Sequence, residues 1–294
     1  MRRAPAPILA LVAVTAIWGY TFVPVQKAVG AYPLFAFLAV RFAISTLALA
    51  PFAWGPLRAL PRAGWAAGIV AGSFLALAYG LQTAGLELTT VTSTGFITGI
   101  YVVFTPLLAL AAFRTPVPAP VWIGVVFALA GLLLLSGAPG GSWTGNLLVL
   151  GNAVAQSFQI VAMERWAPRY DARALTILQM AVAFAGFAVV AVAAGQVEAP
   201  PDAATWYALV VTGVFAGALG YLVSTWVQSR TTAARAALVF TLEAPFAALF
   251  GVLLLSERLG WAGWTGCVVM LAGIVLAEPA AAATLRRLVP ARAG

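Results

Sequence analysis

The chain has 294 residues, of which 63% are hydrophobic and only 8% are charged. Because soluble domains carry about 25% charged residues, this composition excludes a soluble enzyme and is typical of a protein that crosses the membrane many times. Histidine is absent and cysteine occurs once, so we expect no disulfide framework, no metal site and no cofactor. The formal net charge is +8, and its meaning depends on where the basic residues lie.

Ten stretches are long and apolar enough to cross a bilayer, which takes about 20 residues. In chain order they are 8–29, 33–54, 64–85, 92–113, 119–136, 145–163, 173–194, 205–227, 233–255 and 261–277. The first follows two arginines, as a signal peptide would, but it continues to about Val25 without a small-residue cleavage site, so we expect a membrane span. Short loops join the stretches.

The basic residues predict the orientation of the chain in the membrane. If both termini are cytoplasmic, 13 of the 16 lysines and arginines fall on the cytoplasmic side. Lys27 and Arg258 fall near outer ends, and Arg41 lies within the second stretch. Since cytoplasmic loops carry an excess of Lys and Arg, we predict a multi-pass protein of the bacterial inner membrane with both termini inside. The charge thus reflects topology and attraction to anionic lipid, and we expect no nucleic-acid partner.

A weak internal repeat relates the two halves of the chain. Residues 95–113 are similar to 234–255, and residues 120–135 are similar to 263–277. The aligned positions are a proline and two glycines in each half: Pro106, Gly124 and Gly131 in the first, Pro245, Gly266 and Gly273 in the second. Spans four and five therefore correspond to spans nine and ten.

Each half holds five spans, which is an odd number, so the second half must enter the membrane from the opposite face. We therefore predict an all-α integral membrane protein whose ten helices form two inverted five-helix repeats, 1–140 and 141–294, around a central cavity. This architecture is common among secondary transporters.

Glu243 is the acid that lies closest to the centre of a span. It lies about 15 Å along the ninth stretch at 1.5 Å per residue, near the bilayer midplane. A central charge costs roughly 2.5–3.5 kcal/mol, so Glu243 must face the protein interior, either as a hydrogen-bonded anchor or as a group that couples transport to protons or solute. Pro245 and Pro106 interrupt their helices at matching positions and act either as packing devices or as gating kinks.

Further polar and aromatic residues recur at helical spacing near span centres, so each set shares one helix face that must turn away from lipid. They are either interhelical hydrogen-bonding groups or the lining of a cavity. Arg41 is interpreted as structural, pairing with an acid or extending outward. The predicted solute-binding residues are Trp18, Tyr79, Gln82, Tyr101, Gln156, Gln159, Tyr221 and Glu243.

The segment AIWGYTFVPVQKAVGAYPLFAFLAVRFAIS (16–45) resembles the opening of the EamA family of the drug/metabolite transporter superfamily, through Trp18-Gly19, Pro24 and Arg41-Phe42. TLEAPFAALFGVLLLSERL (241–259) and DARALTILQMAVAF (171–184) resemble the family's ninth and seventh spans. The resemblance covers nearly the whole chain. It implies ten helices, a cavity between the halves and export of small metabolites such as amino acids.

One departure from symmetry separates the two halves, because the first half has Phe104 where the second has Glu243. The halves are therefore not chemically equivalent at the centre of the membrane.

The predicted function is a secondary transporter that exports small neutral or zwitterionic metabolites, amino acids including aromatic ones, by alternating access. Its partners are the small-molecule substrate and membrane lipid. No ATP-binding motif is present, so the driving force must be a gradient. The alternatives are a facilitative pore and an intramembrane lipid-modifying enzyme. The enzyme is disfavoured because histidine is absent and a pair of midspan acids is missing.

Overall fold

The computed structural model describes residues 6–114, 116–136, 141–255 and 258–277, and within these ranges the regular structure is helical. Ten membrane-crossing helices follow one another in the predicted order. They are α1 (Ala6–Val29), α2 (Leu34–Arg58), α3 (Arg62–Leu88), α4 (Val91–Gly99 and Tyr101–Phe113), α5 (Ala119–Ser136), α6 (Trp143–Trp166), α7 (Ala172–Ala193), α8 (Ala203–Gln228), α9 (Ala233–Phe240 and Glu243–Leu255) and α10 (Trp261–Ala277).

Eight of these helices are long and apolar enough to span a membrane, and α5 and α10 are shorter apolar helices. Their outward faces carry large exposed hydrophobic side chains, such as Leu47 on α2 and Val126 on α5, as a lipid-facing surface requires. The ten-helix prediction is confirmed.

Packing between the helices follows the symmetry of an inverted repeat. Helix α1 packs on α9 as α6 packs on α4, and α3 packs on α6 as α8 packs on α1. In the same way α3 packs on α7 as α8 packs on α2, and the two largest symmetric interfaces, α2 with α7 and α5 with α10, each join a helix to its own counterpart. This pattern confirms two inverted five-helix repeats. The predicted boundary at residue 140 falls outside the described residues.

The repeated glycines form the interface between α5 and α10. A Cβ placed on Gly131 would lie 2.6 Å from the carbonyl oxygen of Gly266, and a Cβ on Gly266 would lie 2.5 Å from the oxygen of Gly131. Gly124 meets Gly273 in the same way, at 2.9 Å and 3.0 Å. Position 124 thus faces 273 while 131 faces 266, so the helices run antiparallel. Only glycine lets the backbones approach this closely.

The fourth and ninth helices are interrupted before their prolines. In α9 the break lies at residues 241–242, where the Thr241 carbonyl accepts from the Ala244 N–H, because Pro245 has no N–H to offer. In α4 the break lies at Ile100, six residues before Pro106. A proline ring clashes with the carbonyl group four residues earlier, so a break caused by Pro106 would lie within about one turn of it. Proline alone therefore does not set the position of the α4 break.

Helix α8 contains a wide, π-helical stretch at Val211–Leu219. Such a stretch loosens the regular ladder, and two of its carbonyl groups accept hydrogen bonds from neighbouring helices. Ser45 Oγ on α2 donates to the Gly213 oxygen at 2.7 Å, and Trp18 Nε1 on α1 donates to the Ala216 oxygen at 3.0 Å. The irregular helix is thereby fixed to the first half of the chain.

Basic residues at helix ends are concentrated on one face of the bundle. Arg165 at the end of α6 lies over the ring of Phe113 at the end of α4, and the loops that follow α2, α6 and α8 open on the same side. Lys27 and Arg258 lie at the opposite face. The basic residues of the first face are Arg58, Arg62, Arg114, Arg165, Arg169, Arg173, Arg230 and Arg235. Arg2, Arg3, Arg286, Arg287 and Arg292, also predicted for it, lie outside the described residues.

Candidate functional site

Seven helices direct polar and aromatic side chains into two small adjoining cavities inside the bundle. The central chamber is lined by Trp18, Tyr79, Gln82, Thr98, Tyr101, Asn152, Gln156, Ile160, Tyr221, Phe240 and Glu243. The Arg41 chamber is lined by Trp18, Thr21, Phe22, Val25, Arg41, Tyr79, Gln82, Thr83, Leu86 and Glu243. Seven of the eight predicted binding residues therefore meet in one place, and four residues are common to both chambers.

Aromatic rings form much of the wall of the central chamber. The ring of Trp18 lies 5.2 Å from that of Tyr221 and 5.3 Å from that of Phe240, measured between centroids. Tyr79 lies 6.1 Å from Tyr221. Gly220 makes room for the indole, since a Cβ there would approach Trp18 Nε1 to 2.9 Å. The wall thus combines apolar faces with hydroxyl groups, as ligand sites commonly do.

A hydrogen-bonded chain joins the two halves beside the central chamber. Gln82 donates to Thr98 at 3.2 Å, Thr98 donates to Asn152 at 3.1 Å, and Asn152 donates to the Ala78 carbonyl at 3.0 Å. These residues lie on α3, α4 and α6. Thr98 and Asn152 were not among the predicted binding residues, although each is a polar residue inside its span.

The structure places Gln159 outside both chambers, contrary to the prediction. Its carbonyl accepts from Gln156 at 3.2 Å, and its amide donates to Gln179 on α7 at 2.8 Å. Gln159 is only 1% exposed. Three residues advance a helix by about 300°, so Gln159 is rotated by about 60° from Gln156 and faces α7 instead of the cavity. Its contacts are those of an interhelical hydrogen-bonding group.

The breaks in α4 and α9 bring equivalent residues into the central chamber. Tyr101 begins the second segment of α4, Phe240 ends the first segment of α9, and the internal repeat aligns these two positions. Glu243 begins the second segment of α9, where the helix N-terminus favours a negative charge. Pro106 and Pro245 do not line either chamber and lie within the segments that follow the breaks.

Two opposite charges from the two halves line the Arg41 chamber. Arg41 on α2 is 3% exposed, and its guanidinium lies 4.5 Å from the centroid of the Tyr79 ring. Glu243 lines the same chamber, but no ion pair within 4 Å joins it to Arg41. The analysis of the sequence took Arg41 as structural and did not place it beside Glu243, because nothing in the spacing of α2 and α9 shows that they face each other.

The comparisons with known proteins now identify the family. Residues 5–137 and 143–277 each match the profile of the EamA-like transporter family. The chain belongs to the EamA-like transporter family. This membership confirms the resemblance predicted from the sequence, and it makes the chain a multi-pass membrane transporter.

One curated relative and one solved structure extend the finding. An uncharacterized transporter of Archaeoglobus fulgidus is 30% identical over 273 residues, which cover 91% of this EamA-like chain and 84% of that protein. Family and relative both indicate a transporter and not an enzyme. A solved structure described only as the crystal structure of a protein has 19% identity and a TM-score of 0.78, covering 97% of this chain and 99% of that one. It shows a shared fold.

A third pocket lies elsewhere, as an open groove of about 720 Å³ between the loop after α6 and the end of α8. Arg173 there pairs with Asp171 at 2.9 Å, and hydrogen bonds from the Arg173 side chain lower the pKa of Asp171. Arg230 lies over the ring of Trp226 at 4.4 Å. Because both arginines already have partners and the groove is open, it is a less suitable solute site than the enclosed chambers.

Proposed function

We propose that the protein is a secondary transporter that exports small neutral or zwitterionic metabolites, amino acids with aromatic side chains among them, by alternating access. The observation that carries this proposal is the central chamber, where α1, α3 and α4 of one half meet α6, α8 and α9 of the other. Its aromatic walls suit an apolar side chain, and its amide and hydroxyl groups suit a polar end.

The chambers are nearly closed, which supports a mechanism with moving halves. Each offers about 20 Å³ to the centre of a water molecule, which is room for about one water. An amino acid is much larger, so it enters only when the halves separate on one side. The breaks in α4 and α9 lie at the chamber and provide positions where the helix segments can change angle.

The charge distribution supports the proposed orientation in the membrane. The face rich in arginine would be the cytoplasmic one under the positive-inside rule, which supports cytoplasmic termini and a location in the bacterial inner membrane. Glu243 is the one acid among the described residues that line the chambers, so it is the group that would couple transport to a proton gradient.

Counterflow in proteoliposomes tests the function. Vesicles loaded with unlabelled L-phenylalanine should accumulate external labelled L-phenylalanine transiently, with saturation, whereas empty vesicles should not. Gln156→Ala removes a lining amide and should raise the half-saturating concentration. Gln26→Ala, on α1 outside both chambers, is the matched control and should leave it unchanged.

The alternative of a facilitative pore makes the opposite prediction. A pore equilibrates the label without trans-stimulation and without saturation. Absence of counterflow for every amino acid, with the protein correctly inserted, would refute the proposed function.

A further inference from the structure

We propose that Arg41 and Glu243 bind the two charged groups of a zwitterionic solute, the carboxylate at Arg41 and the ammonium at Glu243. The inference rests on the proposed function and deepens it, because it assigns the residues that bind the two charged groups of the solute and the orientation in which the solute binds. It also gives Arg41 a role that the sequence had left as structural.

Arg41 has unused hydrogen-bonding capacity inside the protein. Among the described residues its side chain makes no hydrogen bond and no ion pair, and its buried Nε has no partner. The rings of Tyr79 and Phe42 lie 4.5 Å and 5.6 Å from its guanidinium carbon, in cation–π contact. Thr21, Gln82, Thr83 and Glu243 line the same chamber but form no hydrogen bond with the guanidinium. A guanidinium has five donors in a planar fork that matches a carboxylate, so an anion in the chamber would supply what it lacks.

Glu243 offers the complementary group. It lines both chambers, and no hydrogen bond to its carboxylate is recorded among the described residues. An ionised carboxylate only accepts hydrogen bonds, whereas an ammonium only donates them and brings three donors. The rings of Trp18 and Tyr79 line the same chambers and can receive a cation on their faces.

The separation of the two charges is the central feature. A direct Arg41–Glu243 ion pair would satisfy both groups without any solute, but their nitrogen and oxygen atoms are more than 4 Å apart. A zwitterion between them satisfies both. Since Arg41 belongs to the first half and Glu243 to the second, such a solute would also bridge the two repeats.

The side chain of the solute has its own place. The central chamber adjoins the Arg41 chamber through Trp18, Tyr79, Gln82 and Glu243, and beyond them it presents Tyr101, Tyr221 and Phe240. An α-amino acid bound by its charged groups would direct its side chain towards these rings. The site therefore favours α-amino acids with apolar or aromatic side chains.

Binding of three probes to the purified full-length protein tests the assignment. L-phenylalanine carries both charges, phenethylamine lacks the carboxylate, and 3-phenylpropanoate lacks the ammonium. Wild-type protein should bind L-phenylalanine at least tenfold more tightly than either analogue, measured by calorimetry. Charged hydrogen bonds justify a loss of roughly 10- to 100-fold when one partner is removed.

Variants assign each charge to its residue. Arg41→Met should bind L-phenylalanine and 3-phenylpropanoate roughly 10- to 100-fold more weakly than wild type and bind phenethylamine equally well. Glu243→Gln should bind L-phenylalanine and phenethylamine more weakly by the same factor and bind 3-phenylpropanoate equally well. Arg41→Lys keeps the charge without the fork and should fall between wild type and Arg41→Met. Arg62→Met, an exposed arginine at the start of α3, is the matched control and should match wild type.

The possible results distinguish a failure of this charge assignment from a failure of the proposed transport function. If wild type carries out counterflow but Arg41→Met and Arg41→Lys weaken L-phenylalanine and phenethylamine equally, Arg41 does not bind the carboxylate and the inference fails alone. Equal affinity of wild type for all three probes has the same consequence. If wild type neither binds nor exchanges any amino acid, both the proposed function and this inference are refuted.

Discussion

Replacing Trp18 with Phe tests how the central chamber is built. The indole Nε1 donates to the Ala216 carbonyl at 3.0 Å, in the wide stretch of α8, and the side chain is only 7% exposed. Phenylalanine keeps an aromatic ring but removes the donor. An interhelical hydrogen bond contributes about 0.6–2 kcal/mol, and a buried carbonyl left without a partner costs about 1–3 kcal/mol. We expect a loss of about 1–3 kcal/mol.

The loss is measured by thermal unfolding in detergent, with binding of L-phenylalanine as a second measurement. A loss of this size lowers Tm by roughly 2–10 °C. Trp206→Phe, on the same α8 but 48% exposed, is the matched control and should stay within about 0.5 kcal/mol of wild type. If Trp18→Phe unfolds at the same temperature as Trp206→Phe, the hydrogen bond does not hold α8 to α1, and the description of the wall is wrong.

Two further replacements test the helix interface and the acid. Gly131→Ala puts a methyl group 2.6 Å from the Gly266 oxygen and should cost about 1–3 kcal/mol in thermal unfolding. Gly186→Ala, in open space on α7, should gain about 0.5–1 kcal/mol, and equal melting temperatures for the two would contradict the close α5–α10 contact. If Glu243 carries the coupling proton, Glu243→Gln should make counterflow independent of pH. Wild-type pH dependence in that variant would assign coupling to another group.

The fold could be predicted from the sequence because bilayer thickness and lipid polarity constrain it strongly. Apolar stretches predicted the ten helices. The repeated glycines mark the α5–α10 contact, but each meets the non-equivalent partner: Gly131 aligns with Gly273 in the repeat and lies against Gly266 in space. Seven binding candidates converge for a related reason: polar faces must turn inward when the surroundings are lipid.

The site details that the sequence missed depend on rotation and on contacts between distant helices. The side chains of Gln156 and Gln159 point about 60° apart around the axis of α6. Gln159 therefore donates to Gln179, whereas Gln156 lines the central chamber. The α4 break lies six residues before Pro106, so local proline chemistry does not fix it. Arg41 meets Glu243 only because α2 and α9 border one cavity, and no pattern within either helix records that.

The chemical difference between the halves bears on the proposed binding of a zwitterion. Two identical halves would present two like charges to the same cavity, and like charges in a medium of low polarity repel strongly. Here the position equivalent to Glu243 is Phe104, and the first half contributes Arg41 instead. One positive and one negative group then face the cavity, each from a different half. A zwitterion carries the complementary pair of charges. Because the repeats differ at these positions, the cavity presents one basic and one acidic group to such a solute, whereas identical repeats would present like charges that repel.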